Sequence, residues 1–369
     1  MSALTVSLVD PCRDHRWAEL CSGPQASLFV APPWLATLRD TYGFEPQAAI
    51  VCDAAGRARS GVPFVRLQSM RGPATVAAPF SDFCTPILGC STDWAPLGDA
   101  LTAQGAPVRV KTLRRPDRPE VDLDGRFTRA ATAAWHLIGT DRTEDELWSA
   151  LHGSARRNVR RARDAGVEVR AESGIEAVRA FYELHLGVRK HKYRLLPQPW
   201  RFFERVHEHF APAGSLRVLL ARLDGRPVAG IFLLRWNEVW YYKFNASSPD
   251  ALTSRPNDLL MWEAMMFAAT QGAAAIDLGL SDCDQPTLIR YKRKFATLEG
   301  AVQSWTAPAQ RAGTDPASRL APEEGCPPPP PAPAVLAEVL GTLTELCTRA
   351  DVPDAVTEAA GAAAYRYFA

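Results

Sequence analysis

The most regular patterning in the chain lies between Ser215 and Trp305. SLRVLLARLDGRPVAGIFLLRW followed by EVWYYKFNAS alternates in short apolar runs around tight turns, which predicts a three-stranded meander. A loop and helix follow in SRPNDLLMWEAMMFAATQG, then a strand apolar enough to be buried, AAIDLGLS. A short basic helix, LIRYKRKF, and a last strand around GAVQSW complete the series. The order is strand, strand, strand, helix, strand, helix, strand, so the fold class expected is α/β (α+β).

Upstream, Thr143 to Glu146 reads as a capping box, the Thr hydroxyl taking the third amide and Glu146 reaching back. The helix it opens should carry Leu147, Trp148, Leu151, Ala155 and Val159 on one face and stop at Gly166. Two more helices are expected at 176–191 and 198–210, split by Leu195-Leu196-Pro197. Residues 1–140 read as a separate mixed unit. Pro32-Pro33 opens a helix that Gly43 closes, and a hairpin follows with its turn at Asp53 to Gly56. A helix–strand alternation then runs through APVRVKTLR. Its order weakly parallels the second unit, 141–305.

Composition changes the picture at both ends. Residues 306–333 are rich in Pro, Ala and Gly with few large apolar side chains, which predicts a linker, partly polyproline II at Pro327–Pro331. The segment 334–369 carries Val335, Leu336, Val339, Leu340, Leu343 and Leu346, a pattern for an amphipathic helix or helix pair docked on the body or on a protein partner. Net charge is only +1, so any polyanion contact must be local. No apolar run is long enough to span a membrane. The eight cysteines are scattered, without C-x-x-C or paired-His spacing, so no metal site is expected. With no signal-peptide pattern at the start, they point to the cytoplasm.

Four groups of residues could carry chemistry. Five arginines fall within 156–163, with Arg156, Arg160 and Arg163 at i, i+4, i+7 and Arg157 and Arg161 beside them. Guanidinium groups at that density suit phosphate oxygens, though a solvated helix face explains the same run. Arg255-Pro256-Asn257 stands where a Gly-rich phosphate loop would open the helix; Arg255 could meet a phosphate or carboxylate, or sit exposed. In the basic helix, Tyr291 and Phe295 share a face and leave Lys292 pointing elsewhere, either towards an oxyanion or into solvent. Alternation should put Tyr241, Lys243 and Asn245 on one face of their strand, and Tyr242 and Phe244 on the other. Asp277 or Asp282, at or past the end of the next strand, could accept a proton. Asp284 looks like a helix cap. No G-x-S-x-G motif or Cys-centred nucleophile stands out, and a direct displacement needs none.

RRNVRRARDAGVEV, FYELHLGVRKHKYRLLPQPWRFF, ARLDGRPVAGIFLLRWNEVWYYKFNAS, RPNDLLMWEAM, IDLGLSD and YKRKFATLEG occur in an order that resembles FemAB-like proteins of the GNAT acyltransferase superfamily. The resemblance covers about 140–305; WLATLRDTYGFEP and PFSDFCTPIL resemble the family's first domain more loosely. It implies tandem GNAT-like domains, each a mixed, largely antiparallel sheet flanked by helices. It further implies an enzyme without a tightly bound cofactor, moving an acyl or aminoacyl group from acyl-CoA or aminoacyl-tRNA to an amine acceptor in cell-envelope or secondary metabolism. The aromatic–Lys pair linked to the donor ester in Fem transferases is matched by Tyr291-Lys292. The helical arm of the tRNA-dependent cell-wall members has no room between Val188 and Ser215. The expectation for the site is therefore Lys292 on the oxyanion or the donor, Asp277 or Asp282 taking the proton, and Tyr291, Arg255, Asn257, Arg156, Arg157 and Arg160 on the donor. Tyr241, Lys243 and Asn245 would face the acceptor. Two rival readings are an acyl-CoA-dependent N-acetyltransferase acting on a metabolite or sugar amine, and a non-catalytic GNAT-fold binding module.

Overall fold

The structure, a computed structural model, describes residues 6–309 and 333–369. Most of the proline-rich segment, including the polyproline reading at Pro327–Pro331, lies outside the described residues. Twelve strands form one sheet: β1 (Val6–Val9), β2 (Gln47–Cys52), β3 (Ala58–Ser69), β4 (Gly72–Val76), β5 (Val108–Arg114), β6 (Thr128–Gly139), β7 (Glu168–Glu172), β8 (Leu216–Leu223), β9 (Arg226–Trp236), β10 (Val239–Ser247), β11 (Ala275–Asp282) and β12 (Leu298–Ala307). The described helices are α1 (His15–Cys21), α2 (Pro32–Tyr42), α3 (Trp94–Thr102), α4 (Glu144–Ala150), α5 (Gly153–Asp164), α6 (Ile175–Gly187), α7 (Trp200–Phe210), α8 (Pro256–Thr270), α9 (Pro286–Arg293), α10 (Pro333–Cys347) and α11 (Asp354–Ala364). None of them is long and apolar enough to cross a membrane.

The strand order β1-β2-β3-β4-β5-β12-β6-β11-β10-β9-β8-β7 reads as two related halves meeting in the middle. Each half has a meander and one parallel pair, β4 with β5 and β10 with β11; the other pairings are antiparallel. The closing strands are exchanged: β6 pairs with β11 of the second half, and β12 pairs with β5 of the first. This is a tandem arrangement of mixed, largely antiparallel sheets flanked by helices.

Two apolar cores lie on opposite faces of the second half. One joins α6 and α7 to the first half through Phe181, Phe202, Phe203 and Phe232. The other packs α5 and α8 on the sheet through Ala155, Val159, Met261, Trp262 and Ile276. Because α8 is covered by α5 on one side and the sheet on the other, it buries Leu259, Leu260, Met261, Trp262, Ala264 and Met265 around its circumference.

Three local expectations need correction. The capping box at Thr143 is present, but the helix it opens ends at Ala150. Leu151 is extended, and α5 starts afresh at Gly153. Arg156 closes that break by donating to the carbonyls of Ser149 and Leu151, each at 2.9 Å, so the exposed end of α4 is satisfied by a side chain. The helix expected at 176–191 ends as α6 at Gly187 and continues as a wider π-helical turn, Val188–Tyr193. Asp284 does not cap α9; Gln285 occupies that position without a side-chain bond.

Candidate active site

The site grows out of the parallel pair in the second half. β10 and β11 pair over three residues only, Val239 with Ala275, Trp240 with Ile276 and Tyr241 with Asp277. Beyond that point each carries a bulge against its other neighbour, between Tyr242 and Phe244 and between Asp277 and Leu280. A bulge adds twist and bends its strand, and here the two bends coincide with the end of the shared pairing. A wedge opens between the strands at their C-terminal ends.

The bulge in β10 also overturns the expected alternation. Tyr241 and Lys243 do share a face, turned towards the first half, where Tyr241 packs 5.7 Å from Phe29. Phe244 joins them, packing on Phe202, Phe203 and His185. Asn245 moves to the opposite face with Tyr242 and bonds Asn257 of α8 at 3.2 Å. One extra residue reverses the period-two pattern downstream of it.

Charged groups from three elements meet at the wedge. Lys292 of α9, 4% exposed, donates to the carbonyls of Gly279 (3.1 Å) and Leu280 (2.8 Å). An ammonium has three N–H donors, and these carbonyls account for two. Burial lowers its pKa to about 8, against the opposing pull of Asp82, Asp277 and Asp282. Asp277, 3% exposed, accepts from the Trp135 indole (2.9 Å) and the Gly279 amide (2.7 Å), both on Oδ1. Burial raises its pKa to about 7, with Asp82 adding to the rise. By holding the Gly279 amide, Asp277 also fixes the bulge that turns the Gly279 and Leu280 carbonyls to Lys292.

Asp82 arrives from the first half. Its Oδ1 accepts from Lys243 Nζ at 3.0 Å, and Lys243 also donates to the carbonyl of Phe80 at 3.3 Å. The Lys243 ammonium lies 5.0 Å from the Phe29 ring centre and 5.2 Å from that of Trp34. Gly279 has φ +67, and a Cβ there would collide with Asp82 Oδ2. Glycine is required at this position twice over, by backbone conformation and by the close approach of a carboxylate.

The remaining expected residues are distributed more widely. Tyr291 packs on Phe295 at 5.5 Å and donates its hydroxyl to the Asn257 carbonyl at 2.9 Å, tying α9 to the start of α8. Arg255 is exposed, in a left-handed conformation just before Pro256. Asp282 is exposed at the end of β11. Of the arginines, Arg156 caps α4, Arg160 lies over the Trp148 ring at 5.6 Å, and Arg163 pairs with Glu263 at 3.1 Å. Arg157 and Arg161 stay exposed. Lys292, Asp277 and Lys243 are thus brought together with Asp82, while the arginines lie on α5, which packs on α8.

Residues 150–293 match the family model of the acetyltransferase (GNAT) domain. Among solved structures, FemX superposes with a TM-score of 0.61 at 14% identity, covering 83% of this chain and 97% of that one. The fold is the tandem, FemAB-like GNAT fold. A tandem GNAT protein from the clavulanic acid biosynthesis pathway gives 0.51 at 12% identity, covering 84% of this chain and 99% of that one. The C-terminal domain of a lysylphosphatidylglycerol synthetase from Agrobacterium fabrum, itself an assigned rather than tested activity, gives 0.51 at 13%, covering 79% and 90%. No curated protein matches the chain. Within this GNAT fold, the wedge between β10 and β11 is the feature around which the candidate site is built.

Proposed function

We propose that the chain is an N-acyltransferase that moves an acyl or aminoacyl group from an activated ester or thioester to an amine. The observation that carries the reading is the wedge itself: a buried lysine with one free N–H beside a cluster of carboxylates, where two parallel strands part. The donor carbonyl enters between β10 and β11. The acceptor nitrogen attacks the carbonyl carbon, forming the N–C bond, and the free N–H of Lys292 stabilises the oxyanion. As the intermediate collapses, the C–O or C–S bond breaks and the donor leaves as alcohol or thiol. Asp82, partly exposed where Asp277 is covered, accepts the amine proton and passes it to the leaving group or to water. Asp277 holds the bulge, and Lys243 with Tyr241 lines the acceptor side. Asp282 is a second carboxylate at the mouth. Arg255 and Asn257, at the start of α8, belong to the donor end, with exposed Arg157 and Arg161 on α5 as further phosphate contacts.

The test is transfer by the purified full chain, supplied with acetyl-CoA or charged tRNA and a panel of primary amines, and followed by mass spectrometry. Transfer that disappears in Lys292→Met supports the reading. Donor binding that steepens with falling salt in proportion to phosphates contacted identifies tRNA; salt-insensitive acetyl-CoA turnover identifies the thioester. Failure of every donor to bind or react would sink the enzyme reading and favour a binding module.

A further inference from the structure

The C-terminal helices dock on both halves and end beside Phe80. α10 and α11 lie across both halves. On the second half, Lys190, 2% exposed in the π-helical turn, donates to the Val352 carbonyl and to Asp354 Oδ1, the latter at 2.6 Å. Arg194 donates to the Thr348 carbonyl at 2.7 Å. Gly361 passes so close to Pro197 that a Cβ would stand 2.5 Å from its carbonyl oxygen. On the first half, the Tyr367 carbonyl accepts from the Met70 amide at 3.0 Å. The Ala369 carbonyl oxygen accepts from Arg109 at 3.5 Å, and Arg109 also bonds Ser69.

Between these anchors Tyr365, 8% exposed, packs its ring 5.1 Å from Phe80 and 6.2 Å from Tyr42. Phe80 is the residue whose carbonyl holds Lys243. It is a non-glycine residue at φ +58, two positions after Ala78 at φ +44. Such conformations persist where surrounding packing over-determines them. Tyr42, Phe44 and Tyr365 each pack on the half-buried Phe80 ring, at 5.0, 6.2 and 5.1 Å.

We propose that the C-terminal segment Tyr365–Ala369 is a positioning element of the acceptor side. Tyr365 braces Phe80, and the Phe80 carbonyl, together with Asp82 two residues on, fixes the Lys243 ammonium. The acceptor assignment rests on the N-acyltransferase reading; the bracing does not. A tail that only clamped the two halves together would loosen every buried lysine when weakened. A brace acting through Phe80 loosens Lys243 and leaves Lys292, held by the carbonyls of β11, as it was.

The experiment is competitive trace acetylation of the folded full-length protein with acetic anhydride, read lysine by lysine by mass spectrometry, with exposed Lys192 as the internal reference. In Tyr365→Ala, Lys243 labelling should rise several-fold while Lys292 labelling stays at its original value, and Tyr365→Phe should match the original chain. Tyr365→Leu, which keeps an apolar side chain but not the flat ring, is measured alongside in case the alanine variant does not fold; it too should raise Lys243 labelling. Equal Lys243 labelling in Tyr365→Ala, Tyr365→Leu and the original chain overturns the proposal, as does a parallel rise at Lys243 and Lys292. Where transfer is measurable, Tyr365→Ala should raise KM for the amine with kcat little changed. Loss of the transferase reading alone would leave the labelling result standing.

Discussion

The two parallel pairs of the sheet share a topology and differ in what fills them. In the first half, β4 and β5 pair only at Thr75 with Val108 and Val76 with Arg109. The chain then turns through Ala78 and Phe80 and returns to β5, where the Cys84 amide bonds the Lys111 carbonyl at 2.7 Å. Phe83, Cys84 and Ile87 are buried there, and the Trp34 indole bonds Ser81 at 2.9 Å. That opening is closed by its own chain. In the second half the opening holds Lys243, Asp277 and Lys292 instead. The connections after the parallel pair differ too: α9 carries Lys292 between β11 and β12, whereas β5 and β6 are joined by a non-helical loop, residues 115–127. Two of its arginines are matched locally, Arg115 with Asp117 and Arg126 with Asp124, and Arg118 donates to the Pro24 carbonyl at 3.2 Å. The lesson is a division of roles between equivalent positions. The plug that closes the first opening also delivers Asp82 into the second.

The largest effect should come from Lys292. Lys292→Met removes the only ammonium held by the bulge carbonyls and should lower kcat by about 10²–10³, the usual cost of one oxyanion donor. It should also cost about 1–3 kcal/mol of stability, because the Gly279 and Leu280 carbonyls and the buried Asp277 lose the ammonium that faces them. Steady-state kinetics with unfolding curves check both, and an unchanged kcat would return the wedge to the status of its filled counterpart. Next comes the link between halves. Asp82→Asn should cost about 10² in kcat if it handles the amine proton. Gly279→Ala should give a comparable loss by pushing the Asp82 carboxylate away, with added strain of about 1–2 kcal/mol for a side chain at positive φ. A Gly279→Ala enzyme of full activity would show that Asp82 need not stand where it does.

Acidity separates the openings further. Asp277 is raised to about 7 and Lys292 lowered to about 8, both by burial; because Lys292 must keep its proton to face an oxyanion, kcat/KM should fall above pH 8. The Asp277 shift has a stability consequence. With its folded pKa above the unfolded value of 3.8, Asp277 binds its proton more tightly in the folded chain. Its contribution is complete below pH 3.8 and is lost as pH rises through about 7. Chemical denaturation across that range should show stability falling with pH in the original chain and less so in Asp277→Asn.

Much of the second half was legible because its signals are local. The meander, the capping box at Thr143 and the packing of Tyr291 on Phe295 each follow from residues a few positions apart. Lys292 could be singled out because Tyr291 and Phe295 claim the other face of its helix. What escaped was set by long-range pairing. Asp82 lies far from Lys243 in sequence and is joined to it only when the halves meet. The exchange of β6 and β12 leaves no periodic trace, since both strands alternate normally. Asn245 and Phe244 were placed on the wrong faces because a bulge at ordinary strand residues carries no composition mark. Gly279 was the one available warning: a glycine inside an apolar strand signals a bulge or a close approach, and here it marks both. One contact of the arginine run was also hidden in the sequence. Charge density was visible, but the capping of α4 by Arg156 depended on a helix break that the apolar pattern hid.

The smallest effect should come from the first half's own charges. Arg126 donates to Asp124 at 2.6–2.8 Å and also reaches Asp99 and the Ala95 carbonyl, yet its side chain is still one-third exposed. Solvent screens such pairs, so Arg126→Ala should lower stability by roughly 0–1 kcal/mol and leave kcat and KM unchanged. Thermal unfolding and steady-state kinetics on one preparation read both numbers. A marked loss of activity would mean that the loop between β5 and β6 acts on the wedge across β12, and that charge in the first half is not confined to holding its own surface. Unchanged kinetics would place the chemistry in the second opening and in the single carboxylate the first half sends to it.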